Sequence, residues 1–195
     1  MAPEVLIVLA PGAEEIEAVT VPDVLVRAGC AVTVAGTAGA GVVAGSRGIP
    51  LAAQQPLDQV AGRAWAAVYL PGGAGSAAVC RSDARVQELI RRQLAGGGWL
   101  AAICAAPTAL IPGGFARGRR LTSFPAVRGE LEAAGAEWLD APVVRDGPLF
   151  TSQAAGTTLA LALSLATALC GAAAAEQVAA QIIAPACVRA VPIGA

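Results

Sequence analysis

The chain has 195 residues, 56% of them hydrophobic and 14% charged, with a mean hydropathy of +0.64 and a formal net charge of -1. That balance excludes a disordered chain, which combines low hydrophobicity with high net charge, and leaves no basic surface for nucleic acid. Lys, His and Asn are absent and all 13 positive charges are Arg. Imidazole bases, histidine metal ligands, Schiff-base lysines and the P-loop are therefore excluded.

In chain order, short apolar strands alternate with amphipathic helical stretches, the pattern of a mostly parallel sheet covered on both faces. Val5–Ala10 is a continuous apolar strand, and the absence of a basic stretch before it argues against a signal peptide. Glu14–Ala28 follows as a helix that Gly29 stops. Ala31–Ala35 is a second strand, and the glycine-rich run Gly36–Gly48 is expected to hold a hairpin around Val42–Ala44. Ala66–Leu70 is a third strand, ended by Pro71-Gly72-Gly73. Ser82–Ala95 is predicted as a helix with Ser82 as its N-cap, stopped by Gly96-Gly97-Gly98. Trp99–Ile103 is the next strand, Ala105–Leu110 a short helical turn and Ala126–Ala134 a helix. Val143–Arg145 and Pro148–Thr151 form a hairpin around Asp146-Gly147, and helices Thr157–Leu169 and Ala174–Ile182 close the chain. No linker or repeat divides residues 1–195, so one α/β domain is expected.

Ala154–Ala175 carries no charge and is long enough to test as a membrane span. Gly156, Thr157, Thr158, Ser164, Thr167 and Gly171 interrupt it and no basic cluster flanks it, so it reads as a buried helix and no membrane is expected as a partner. Five cysteines at wide spacing, Cys30, Cys80, Cys104, Cys170 and Cys187, contain no C-x-x-C and fit neither a disulfide framework nor a zinc ribbon. Cys30 and Cys170 are expected in the core, Cys80 partly exposed beside Arg81, and Cys187 in a weakly structured tail. The expectation is a reduced, soluble, cytoplasmic protein.

Three strand ends carry the candidate chemistry. Trp99–Ile103 runs into Cys104 and a helical turn begins within two residues, the layout of a nucleophile elbow, with Ala102, Ala105 and Ala106 as the small neighbours it needs. Helix N-terminal amides there would lower a thiol pKa. The alternative is a small buried hydrophobe, but ligands of open α/β sheets sit at the carboxyl ends of strands, where Cys104 lies. The first strand runs into Pro11-Gly12-Ala13-Glu14-Glu15-Ile16-Glu17. The helix dipole accounts for Glu14 and Glu15, whereas Glu17 is placed to face a pocket while Glu15 faces solvent, and a buried Glu beside a thiol can exchange a proton with it. The third strand ends in Leu70-Pro71-Gly72-Gly73-Ala74-Gly75. Gly73-x-Gly75-x-x-Ala78 formally fits a dinucleotide fingerprint, but no acidic residue follows at the end of a second strand. No cofactor and no metal are expected, and the amides of Gly72 and Gly73 could instead face Cys104 as an oxyanion hole.

These motifs, taken together, resemble a known family. Ala10–Glu17, the VRAG of Val26–Gly29, VTVAG at Val32–Gly36, Ser46-Arg47, LPGG at Leu70–Gly73, AAICAAPTAL at Ala101–Leu110 and a closing AAQIIAP appear in order. They are similar to the PfpI superfamily, most closely its parkinsonism-associated protein deglycase branch, from residue 4 to about residue 187. The resemblance implies a flavodoxin-like three-layer sandwich, usually a homodimer, with glyoxalase activity on methylglyoxal, deglycase activity on glycated thiols and amines, oxidative-stress sensing and chaperone-like behaviour. It implies that Cys104 is the reactive cysteine, Glu17 its partner, Gly72 and Gly73 the loop facing it, and Arg27 and Arg47 the arginines near the dimer interface and active site.

The chain departs from that pattern at several positions. Phe124 stands where the family has its active-site histidine, Gln153 where it has an arginine, and Ala52 where close relatives have a second cysteine. Ala105 follows Cys104 where protease members carry histidine, which argues against protease and amidotransferase readings. The leading expectation is a cysteine-dependent glyoxalase or deglycase acting on small α-oxoaldehydes or their thiol and amine adducts. The alternatives are a non-catalytic oxidative-stress sensor or chaperone that oxidises Cys104, and a divergent hydrolase or hydratase for a less polar electrophile, suggested by Phe124.

Overall fold

A computed structural model describes residues 1–96 and 98–189. Its central sheet has seven strands in the order β10-β11-β7-β6-β1-β2-β5. These are β1 (Glu4–Leu9), β2 (Ala31–Gly36), β5 (Gln55–Pro56), β6 (Ala67–Leu70), β7 (Trp99–Ile103), β10 (Val143–Asp146) and β11 (Leu149–Ser152). All neighbours pair parallel except β10 and β11, which form an antiparallel edge hairpin with Val144 opposite Thr151. A small hairpin of β3 (Gly41–Ala44) and β4 (Pro50–Ala53) and a two-stranded pair of β8 (Arg120–Leu121) and β9 (Glu137–Trp138) lie outside it. The helices are α1 (Glu15–Arg27), α2 (Ala74–Ser82), α3 (Ala84–Gly96), α4 (Arg128–Ala133), α5 (Thr158–Cys170), α6 (Ala172–Gln181) and α7 (Ala186–Arg189).

The continuous apolar strands are buried on both faces because side chains alternate across the sheet. Val5 and Ile7 of β1, Tyr69 of β6 and Ala101 and Ile103 of β7 pack under α1, α5 and α6. Leu6, Val8, Val68, Leu70, Leu100 and Ala102 pack on the opposite face under α2, α3 and the 3-10 turn Ala106–Leu110. Helix α5 is buried over most of its length, as expected of the uncharged segment it occupies. At 13 residues it is ~20 Å long, and among the described residues no helix is long and apolar enough to cross a membrane.

Several expected boundaries move. Val42–Ala44 is itself a strand, and the turn of its hairpin is at residues 45–49, with Ala44 opposite Pro50. Ser82 does not cap a helix; it ends α2, where its hydroxyl donates back to the Ala78 and Val79 carbonyls. Asp83 takes over the cap, its carboxylate accepting from Arg85 N–H at 2.9 Å and its carbonyl from Gln87 N–H at 3.0 Å. Helix α2 was not foreseen, since Ala74–Ser82 is small-residue-rich and lacks a clear apolar stripe. Gly97, the middle of the expected glycine stop, lies outside the described residues. Cys80 is fully buried and not partly exposed, and exposed Cys187 sits in the short helix α7.

Candidate active site

Three adjacent parallel strands deliver the site at their carboxyl ends. β1 leads into the turn that starts α1, β6 into Gly72, Gly73 and α2, and β7 into Cys104 and the Ala106–Leu110 turn. Cys104 has φ of +62°, in the left-handed region that a side chain rarely adopts. Backbone strain of this kind costs about 1–3 kcal/mol and persists where surroundings over-determine it. Here both backbone groups are held: Cys104 N–H donates to the Ser152 carbonyl at 2.9 Å, and the Cys104 carbonyl accepts from Phe124 N–H at 2.8 Å. The turn presents a half-buried thiol at the mouth of the sheet.

Glu17 comes from the first turn of α1 and is fully buried. Its Oε2 accepts from Gly72 N–H at 2.8 Å. The carboxyl lies near enough to the Cys104 thiol for the two to interact, and its buried Oε1 accepts no hydrogen bond. Burial pushes this carboxyl up to about 7; the Gly72 amide pulls it back and the neighbouring Glu14 carboxylate adds to the rise. Cys104 is pushed up to about 11, by burial first and the Glu17 charge second, against the N–H groups of Gly73 and Ala105. The amides therefore do not depress the thiol on balance, contrary to the expectation from helix N-termini. The Glu17 charge penalises the thiolate, so Cys104 keeps its proton across neutral pH while Glu17 changes charge there.

The two glycine amides expected to face the cysteine are divided between two groups. Gly72 N–H goes to Glu17, while Gly73 and Ala105 N–H face the sulfur. Gly72 has no room for a side chain: a Cβ there would lie 2.6 Å from Cys104 Cβ and 2.6 Å from Glu17 Oε2. Gly75, part of the apparent dinucleotide fingerprint, serves a different close approach, since a Cβ would stand 3.1 Å from the Pro11 carbonyl and 3.3 Å from Gly12 Cα. The fingerprint thus reflects two loops packed together. Among the described residues no group of three His, Cys, Asp or Glu side chains lies together as metal ligands.

Other expected residues fall at different distances from this centre. Phe124 is tied to Cys104 through its backbone and is 44% exposed. Gln153 donates to Asp140 Oδ1 at 2.8 Å. Arg27 pairs with Asp23 at 3.0 Å on an exposed stretch of α1, and Arg47 is exposed on the β3–β4 turn. Among the described residues no ion pair or hydrogen bond joins either guanidinium to Cys104 or Glu17. Glu15 does not face solvent. It is buried, and its carboxylate accepts from Arg47 N–H at 2.6 Å, Ser46 hydroxyl at 2.9 Å and Ile49 N–H at 3.4 Å. Burial works against its charge, but these donors prevail and hold it below the usual carboxylate range.

Two further residues support Glu17: Glu14, expected at the helix start but not as a contact of Glu17, and Tyr69, which was not expected at the site. Glu14 caps α1 by accepting from Glu17 N–H at 2.9 Å, for which its place at the helix start was a signal. Tyr69 reaches from β6 to donate its hydroxyl to the Glu17 carbonyl at 3.1 Å; as a residue of an apolar strand it carried no such signal.

Residues 3–168 match the DJ-1/PfpI family. The chain belongs to that family. Within the DJ-1/PfpI family, protein dj-1beta of Drosophila melanogaster is 43% identical over 171 residues, covering 88% of this chain and 91% of the relative. The Parkinson disease protein 7 homolog of Danio rerio is 38% identical over 180 residues, covering 91% and 95%. A third relative, the glutathione-independent glyoxalase DJR-1.2 of Caenorhabditis elegans, is 33% identical over 167 residues, covering 85% and 88%. The crystal structure of Drosophila DJ-1beta superposes with a TM-score of 0.92 at 41% identity, covering 95% of this chain and all of that one. These DJ-1/PfpI relatives bear out the expected branch and the flavodoxin-like sandwich.

Proposed function

We propose that this protein is a cysteine-dependent glyoxalase that converts small α-oxoaldehydes such as methylglyoxal, or their thiol and amine adducts, to 2-hydroxy acids. The supporting observation is the fully buried Glu17 carboxyl, fixed by the Gly72 amide beside Cys104, whose sulfur faces the Gly73 and Ala105 amides; the relative named as a glyoxalase agrees with it. In this reading the Cys104 sulfur adds to the aldehyde carbon, and the amides receive the developing oxyanion. Glu17 moves the proton from the former aldehyde carbon to its neighbour, turning the hemithioacetal into a thioester of the 2-hydroxy acid. Water then cleaves the thioester and returns the thiol, so that aldehyde and water are consumed and the acid is the only product. Phe124 supplies an apolar wall where the family has an imidazole, and the protein acts as a homodimer. Arg27 and Arg47 support that interface.

A second reading has its own observation: the chain has no histidine anywhere, and one matching structure is that of an oxidised Toxoplasma gondii DJ-1, with a TM-score of 0.87 at 30% identity. Under it, Cys104 is an oxidative-stress sensor whose sulfinate accepts hydrogen bonds from protonated Glu17 and the two amides. Methylglyoxal consumption and lactate formation by the wild type and Cys104→Ser separate the two. Turnover that Cys104→Ser abolishes supports the enzyme. No turnover by a wild type whose Cys104 is still selectively oxidised by peroxide supports the sensor.

A further inference from the structure

Two other sulfurs meet without any role in that site. Cys30, just past the end of α1, and Cys170, the last residue of α5, are 140 positions apart in sequence, yet their Sγ atoms lie 3.4 Å from each other. Cys30 belongs to the buried cluster that α1 and α5 share on one face of the sheet, and Cys170 packs against it. The Cys30 N–H donates to the Leu25 carbonyl at 2.9 Å and β2 begins at Ala31, so the backbone on this side is fixed. The pair stands at the amino-terminal edge of the parallel strands, whereas Cys104 stands at the carboxyl edge. Cys30 is 7% exposed and Cys170 is partly exposed, so Cys170 is the more exposed residue of the two.

We propose that Cys30 and Cys170 form a reversible intramolecular disulfide that staples α1 to α5 when the protein meets a hydroperoxide. The sulfurs need to close from 3.4 Å to about 2.05 Å, a movement within side-chain rotation. Cys170, the more exposed residue, is attacked first: its thiol takes one oxygen from the hydroperoxide, giving a sulfenic acid and releasing the alcohol, or water if the oxidant is hydrogen peroxide. Cys30 then displaces the sulfenic hydroxyl, forming the S–S bond, and its proton leaves with that hydroxyl as a second molecule of water. Two thiols are oxidised and one peroxide is reduced. Burial and the Cys170 contact hold the Cys30 thiol up at about 12, which suits a resolving partner and not the first point of attack. A cross-link across 140 residues removes much of the denatured chain's freedom, so the oxidised form is the more resistant to unfolding.

The test is peptide mapping of the full-length protein after a short hydrogen peroxide treatment, without reductant. Cleavage after Arg and Glu isolates Cys30, Cys170 and Cys187 on separate peptides, because Arg27, Arg47, Arg145 and Glu176 intervene. The expected result is a Cys30–Cys170 linked peptide lighter by two hydrogens, found in monomer-weight protein, released by dithiothreitol and absent in Cys170→Ser. In a Cys104→Ser background, oxidation should raise Tm by several degrees, and the further change Cys170→Ser should erase the rise. Recovery of Cys30 and Cys170 as unlinked thiols or sulfinates, or linkage found only between chains, would overturn the proposal. So would a Tm rise that persists in Cys170→Ser.

Discussion

At the scale of single residues, Gly72 shows how tightly the site is drawn. A methyl group there would meet the Cys104 Cβ and the Glu17 carboxylate, each at 2.6 Å, so neither group could keep its place. Gly72→Ala is expected to cut methylglyoxal turnover by at least tenfold while far-ultraviolet circular dichroism stays native. A variant with unchanged kcat would show that the spacing is not required. Glu17 sets a pH signature. Because its folded pKa of about 7 lies above the ordinary 4.5, the folded chain holds a proton that the unfolded chain gives up. The stability this supplies is complete below about pH 4.5 and is lost as pH rises through 7, a cost of about 3 kcal/mol at about 1.4 kcal/mol per pKa unit. Urea unfolding between pH 5 and 8 should show that decline, and Glu17→Gln should flatten it over the same range.

At the scale of elements, the clamp on the β3–β4 turn is the most specific expectation. One buried carboxylate, Glu15, holds the Ser46 hydroxyl and the backbone of Arg47 and Ile49. Glu15→Ala should loosen this turn, and trypsin, which cleaves after arginine, should cut at Arg47 several times faster; equal cutting rates would contradict the clamp. The same element marks where sequence reading stopped. Acidic residues at a helix start look alike in one dimension, and the two strands that bring residues 46–49 over Glu15 are only four residues each, one of them starting at Pro50. The core strands were legible because burial on both faces makes them continuously apolar. The elbow at Cys104 was legible because strand, small residues and turn follow one another in sequence. Helix α2 was not, since six of its nine residues are alanine, glycine or serine and it begins at a turn that looked like a strand end. The division of the Gly72 and Gly73 amides between Glu17 and Cys104 was also hidden, because it depends on three strand ends meeting in space.

At the scale of the whole molecule, the sheet is covered on both faces while α1 keeps an outward apolar stripe. Ile16, Val19 and Val26 follow helical spacing and are 55%, 55% and 58% exposed. The proposed homodimer would bury this stripe. Val26→Asp is expected to shift the protein from dimer to monomer in analytical ultracentrifugation, and a wild type that sediments as a monomer would remove this part of the proposal. The alternation of strands and helices also sets the division of labour along the sheet, with the acid–thiol pair at its carboxyl edge and the Cys30–Cys170 contact at the other.

In the proposed reaction one buried carboxyl and one strained cysteine share the proton work of aldehyde conversion without an imidazole. Its most direct test is kcat for lactate formation from methylglyoxal in Glu17→Gln, measured alongside iodoacetamide labelling of Cys104. The expected result is a loss of about 10²-fold or more, in the range of general acid–base catalysis, with Cys104 still labelled. A Glu17→Gln enzyme that turns over at the wild-type rate would contradict it.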